Sequence, residues 1–254
     1  MSSLKERVNA VINSRSRNNP GSSTSGNFTY TFDKNINRIT DVIIRAVQIP
    51  FTFYVINSSN NVLKFNNNTV TATITAGNYN NATILIELKS KIDAAFADTN
   101  TTVTFNNITS KLTITRTAAF ILDAAVDVPT STLSTILGYS VSSASGTSAT
   151  ANNVLNISGP NYLLIESAFL TKAIQHKTVY ATSSYANALL SIPVNVGPND
   201  IITMSDQIFL PVRLNYKFNI RTTDSIDIKI KDDTGTTLDL NGADIAIQLV
   251  FITE

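Results

Sequence analysis

Alternation with a period of two dominates the chain. It is clearest near the C-terminus, where Ile226, Ile228 and Ile230 alternate with Asp227, Lys229 and Lys231. That spacing predicts a strand with isoleucines on one face and charges on the other. Asp233-Thr234-Gly235 and Asn241-Gly242 supply turns, with Leu238 and Leu240 read as a short strand between them. Ile245, Ile247, Leu249 and Phe251 then alternate with Ala246, Gln248, Val250 and Ile252. Apart from Gln248 this last strand is apolar on both faces, so it is expected in the middle of a sheet or under a partner.

The same period recurs upstream. Phe28, Tyr30 and Phe32 alternate with threonines, and Arg38–Ile49 is a longer Val/Ile-rich run. Pro50 should end or bend that strand, and Phe51–Ile56 resumes it. Short strands follow at Val62–Phe65 and around Val70, Ala72 and Ile74. Further on, Tyr162–Leu170, Leu189–Val196, Ile201–Met204, Gln207–Leu210 and the Val212, Leu214, Tyr216, Phe218 series all read as strands. Pro193 marks its strand as an edge or a bent position, and Gln175–Ala188 reads as an exposed loop.

Residues 78–156 depart from this pattern. Leu85, Leu88, Ile92, Ala95 and Phe96 form one apolar stripe at helical spacing, behind an N-cap offered by the Gly77–Asn81 turn. A hairpin follows, from Val103 and Phe105 through Asn106-Asn107 to Leu112 and Ile114. Pro129–Leu137 is a short helical segment ending at Gly138, and Ser140–Asn153, almost wholly small and polar, reads as a mobile loop. The expected organisation is therefore a core from residues 27–77 and 157–254, with 78–156 inserted. About eight strands outside the insertion suffice for two packed sheets.

The N-terminus differs again. Leu4, Val8, Val11 and Ile12 sit at helical spacing, which predicts a short helix over Ser3–Asn13, too short to stand alone. Ser14–Gly26 is rich in Ser, Asn, Gly and Pro. Residues 1–26 thus read as a flexible arm, made basic by Lys5, Arg7, Arg15 and Arg17. Such an arm is either a solvated tail or a segment that orders beneath a neighbouring subunit or against nucleic acid.

Composition narrows the function. Of the 254 residues, 15% are charged, against ~25% in typical soluble domains. Thr, Ser and Asn take their place, which suits a surface covered by other subunits; an AT-rich genome explains the same bias. Net charge is +1, so no global field draws nucleic acid or an acidic membrane. Cysteine is absent, which excludes disulfides and thiolate chemistry. The N-terminal MSSLKERVNAVINSR lacks an apolar signal region, and no apolar run approaches a membrane span, so a soluble protein made in the cytoplasm is expected.

No catalytic constellation emerges. His176 is the single histidine, and general acid–base work needs a positioned partner. Asp224, Asp227, Asp232, Asp233 and Asp239 fall at turns or outward strand positions, without the ligand spacing of a calcium loop. Gly77, Gly138 and Gly159 are isolated, so no phosphate-cradling loop exists. Glu87 and Glu166 are the glutamates away from the termini; Glu166 lies in an apolar strand and needs a partner, an Arg or a backbone donor. No metal, cofactor or catalytic residue is expected.

Five segments carry a family resemblance: Arg38–Ile56 with its QIPFTFY, the GNY turn before the helix, ILGY at Ile136–Tyr139, GPNYLLIES at Gly159–Ser167, and the closing LDLNGADIAIQLVF. Together they resemble the penton, or minor capsid, proteins of virophages and related giant DNA viruses. The resemblance implies an all-β-dominated fold, a single jelly-roll sandwich with an inserted α+β section containing one amphipathic helix. It implies a homopentamer at the fivefold vertices of an icosahedral capsid, bordered by double jelly-roll major capsid protein and other minor capsid proteins, in a virion built in the host cytoplasm. Nucleic acid would be met only through the arm. Another minor capsid or cement role, a trimeric receptor-binding head and a carbohydrate-active sandwich enzyme are the alternatives.

Overall fold

The computed structural model describes residues 6–171, 188–205, 212–214 and 220–253. His176, Lys5 and the strand expected over Gln207–Leu210 lie outside them. The chain divides into two compact units, Met1–Phe53 with Pro160–Glu254, and Tyr54–Gly159.

The first unit begins with β1 (Glu6–Asn13), and here the expected helix is corrected. Val8, Ala10 and Ile12 obey a period of two as well as Val8, Val11 and Ile12 obey a helical one. Tertiary pairing decides between them: β1 lies antiparallel on the last strand, Glu6 opposite Thr253 through Asn13 opposite Ala246, and Ile12 is fully buried. A single 3-10 turn follows at Ser14–Ser16. Next, β2 (Asn27–Pro50) runs unbroken for 24 residues where two strands are expected. It bends at irregularities rather than stopping: its register against its neighbours slips near Arg45 and Thr40, and Arg38 takes a left-handed φ of 52°. Pro50 does end it, but Phe51–Val55 does not resume the strand. Phe51 and Phe53 instead stack their buried rings, centroids 4.3 Å apart.

The second unit holds β3 (Val62–Phe65), β4 (Val70–Thr73), α1 (Asn81–Phe96), β5 (Thr101–Asn106), β6 (Lys111–Phe120), β7 (Leu122–Asp123), α2 (Leu133–Ile136) and β8 (Gly146–Thr150). Two small sheets form, β4-β3-β7 and β5-β6-β8. Strands β3 and β4, expected in the jelly-roll core, belong here because Leu63, Phe65, Ala72 and Ile74 share one apolar core with Ile84, Leu88 and Ile92 of α1. The helix starts as its sequence demands, with a capping box in which Asn80 accepts the Ala82 and Thr83 amides. Arg116, buried in β6, lies 3.5 Å over the Phe96 ring and pairs with Asp98.

The loop expected over Ser140–Asn153 contains β8, a second correction. Its residues are too small to show hydrophobic alternation, yet Ala149 is buried and the Tyr139 hydroxyl donates to the Ala149 carbonyl at 3.1 Å. On the outer face Thr104, Thr113 and Thr150 stand in one row, and Thr102, Thr115 and Ser148 in the next.

The chain then returns to the first unit with β9 (Tyr162–Glu166), α3 (Ala168–Thr171), β10 (Ala188–Pro193), β11 (Ile201–Ser205), β12 (Val212–Leu214), β13 (Ile220–Lys231) and β14 (Ala246–Thr253). Among the described residues its strands form one eight-stranded sheet in the order β1-β14-β2-β13-β9-β10, with β11 and β12 also on β2. The last strand sits between β1 and β2, as its two apolar faces require, and pairs antiparallel with residues 39–48 of β2. Leu249 and Phe251 are almost wholly buried. Leu238–Leu240, expected as a strand, forms none, although Leu240 is buried.

Candidate assembly surface

Among the described residues, β1 and β10 end the strand path of the sheet, and they differ. β10 is blunted: its pairing with β9 slips between Ala188 and Leu190, and it ends in Pro193, which has no N–H to offer. β1 is regular for eight residues, with no slip, glycine or proline.

A polar clamp around the buried Ser14 fixes the end of β1. The Ser14 N–H donates to the Ile245 carbonyl at 3.1 Å, and the Ile245 N–H donates to the Ser14 hydroxyl at 3.0 Å. That hydroxyl in turn donates to Asp244 at 2.8 Å. Arg15 Nε reaches the other Asp244 oxygen at 3.1 Å, and Arg17 stands 3.6 Å from the first. Burial pulls the Asp244 carboxyl upward, but the Ser14 and Arg15 hydrogen bonds and the two guanidinium charges outweigh it and hold it below the ordinary aspartate value. Arg17 also donates to the Ser14 carbonyl at 2.9 Å.

The basic residues expected to form an arm are thus separated. Arg15 and Arg17 converge on Asp244, Arg7 is exposed on β1, and Lys5 lies outside the described residues. The Ser14–Asp244 pair was invisible in the sequence because its members are 230 positions apart and neither belongs to a motif.

The carboxylates considered for catalysis have structural partners. Among the described residues Glu166 Oε2 is held by Lys231, at 2.9 Å on the neighbouring strand, where an arginine or a backbone donor is expected, and its buried Oε1 has no hydrogen-bond partner. Glu87 accepts the Thr75 N–H at 2.8 Å and lies 3.8 Å from Lys91. Asp227 accepts the Ala168 and Phe169 amides at the start of α3, and Asp233 accepts the Asn161 amide. No group of three His, Asp or Glu side chains suited to a metal occurs among the described residues. None of their helices is long and apolar enough to cross a membrane.

No protein-family model matches the chain, and no curated protein matches it in sequence. Among solved structures, the crystal structure of the mavirus penton protein aligns with a TM-score of 0.51 at 10% identity, over 99% of this chain and all of that one. The chain shares the fold of the mavirus penton protein. The expected class stands: a jelly roll dominated by β-structure, with an inserted section carrying the amphipathic helix α1. A cryo-EM structure of the Sputnik virophage aligns at a TM-score of 0.49 and 12% identity, covering 98% of each chain.

Proposed function

We propose that the chain is a capsid structural subunit, a penton whose five copies close each fivefold vertex of an icosahedral particle. The observation that supports this is the likeness of fold along the whole chain to the mavirus penton protein. Its mechanism is geometric. Five copies related by rotation meet through two different surfaces, and the ring closes because the rotation does. A chain of net charge +1 with 15% charged residues associates with copies of itself without strong self-repulsion.

In this reading the jelly roll builds the ring. Double jelly-roll major capsid subunits and other minor capsid proteins surround the ring in the virion, after synthesis in the host cytoplasm. Arg7, exposed on β1, is the basic group that reaches adjacent capsomers in this reading. The subunit works through its surfaces and performs no chemistry. Native mass spectrometry of the purified chain tests the reading: a species of five chains of 27.5 kDa is expected. A trimer would favour a receptor-binding head instead.

A further inference from the structure

Among the described residues, the outer edge of β1 is an unblocked hydrogen-bonding edge. The Ser14–Ile245 pair exchanges bonds in both directions, so the alternation of an antiparallel ladder assigns Ile12, Ala10, Val8 and Glu6 the bonds toward β14. Arg7, Asn9 and Val11 therefore aim their N–H and C=O groups away from the sheet. Among the described residues no strand pairs with them there. The side chains of all three are exposed, Val11 by 61%, and Val8 on the opposite face is 36% exposed.

Isolated subunits normally protect such an edge with lysine, proline or a bulge, because it templates pairing with another chain. β10, at the far end of the same sheet, has a proline and a register slip. β1 has neither, and the Asp244 clamp holds its end in place. Its one acid and one base, Glu6 and Arg7, offset each other, so the edge does not repel a copy of the chain.

We infer that the β1 edge is a contact between subunits, pairing through its backbone with an extended segment of a second copy. Residues Arg7, Asn9 and Val11 supply the ladder, and Val8 and Val11 are covered on its two faces. This rests on the reading of the chain as a self-assembling ring subunit and names the strand that makes the contact. The contact is heterologous, since pairing β1 with the same β1 would yield a twofold dimer and not a ring.

Val11→Pro removes one outward N–H while leaving the bonds to β14 intact, and Val11→Lys keeps the N–H but places a charge on the covered face. Both variants should retain the wild-type thermal midpoint within a few degrees while association of subunits weakens about tenfold or more. Native mass spectrometry across a concentration series reads this. Backbone amides of Arg7, Asn9 and Val11 should also become protected from hydrogen exchange in assembled wild type.

A wild-type pentamer whose two variants assemble equally well, with those amides still exchanging freely, overturns this contact and leaves the ring reading in place. Variants that form pentamers but fail to enter particles would assign the edge to a different capsid chain and overturn the second-copy contact. A wild-type chain that stays monomeric at all concentrations overturns both.

Discussion

Ser14 and Ile245 join the two ends of the described chain through an exchange in which a side chain substitutes for backbone. The Ile245 amide, in an almost wholly buried residue, donates to the Ser14 hydroxyl at 3.0 Å rather than to the Ser14 carbonyl. The carbonyl so released accepts from Arg17. Ser14 itself is fully buried, and its hydroxyl also serves Asp244.

Ser14→Ala should therefore cost about 1–3 kcal/mol, the penalty of leaving a buried amide and a carboxylate oxygen short of a partner. Urea denaturation measures it. A change within experimental error would mean that the clamp contributes nothing to holding β1 on β14.

Acid should release the same clamp. Asp244 titrates below the ordinary value of 3.8, because hydrogen bonds and guanidinium charges favour its ionised form over the pull of burial. A depressed carboxyl contributes stability that is present above its unfolded value and is lost as pH falls through its folded one. Hydrogen-exchange protection of the Glu6, Val8, Ala10 and Ile12 amides, which face β14, should persist down to about pH 4 and fall below it. Asp244→Asn should lack that acid step; an identical pH profile in the variant would exclude Asp244 as its source.

Two glycines with left-handed backbones should respond differently to alanine. Gly242 has φ of 80° with nothing within 4 Å of an added Cβ, so Gly242→Ala should cost about 1 kcal/mol of backbone strain. Gly138 has φ of 85°, and its Cβ would lie 2.4 Å from the Asn153 carbonyl oxygen. The Gly138 carbonyl also accepts the Asn153 amide at 2.8 Å, so neither segment can retreat freely. Gly138→Ala should cost about 3 kcal/mol or more, read as lost yield or a lowered midpoint. Equal effects at the two sites would contradict the contact geometry around Gly138.

Local pattern announced the elements whose apolar residues are large. The burial of β14 between two strands followed from its two apolar faces. The helix α1 was legible from its stripe and cap, although Ile84 rather than Leu85 points fully inward. β8 was hidden because Gly146, Ser148 and Ala149 carry little hydrophobic contrast. β1 was misread because its few apolar residues fit two periods, and only the waiting edge of β14 selects one. The clamp residues Ser14 and Asp244 had no local signal at all, since their partnership exists only once the sheet has formed.

Whether the chain is a vertex subunit is decided by cryo-EM of icosahedral particles assembled with it. Density for five copies of this chain is expected around every fivefold axis. Vertices occupied by another protein, or this chain at threefold or general positions, would contradict it.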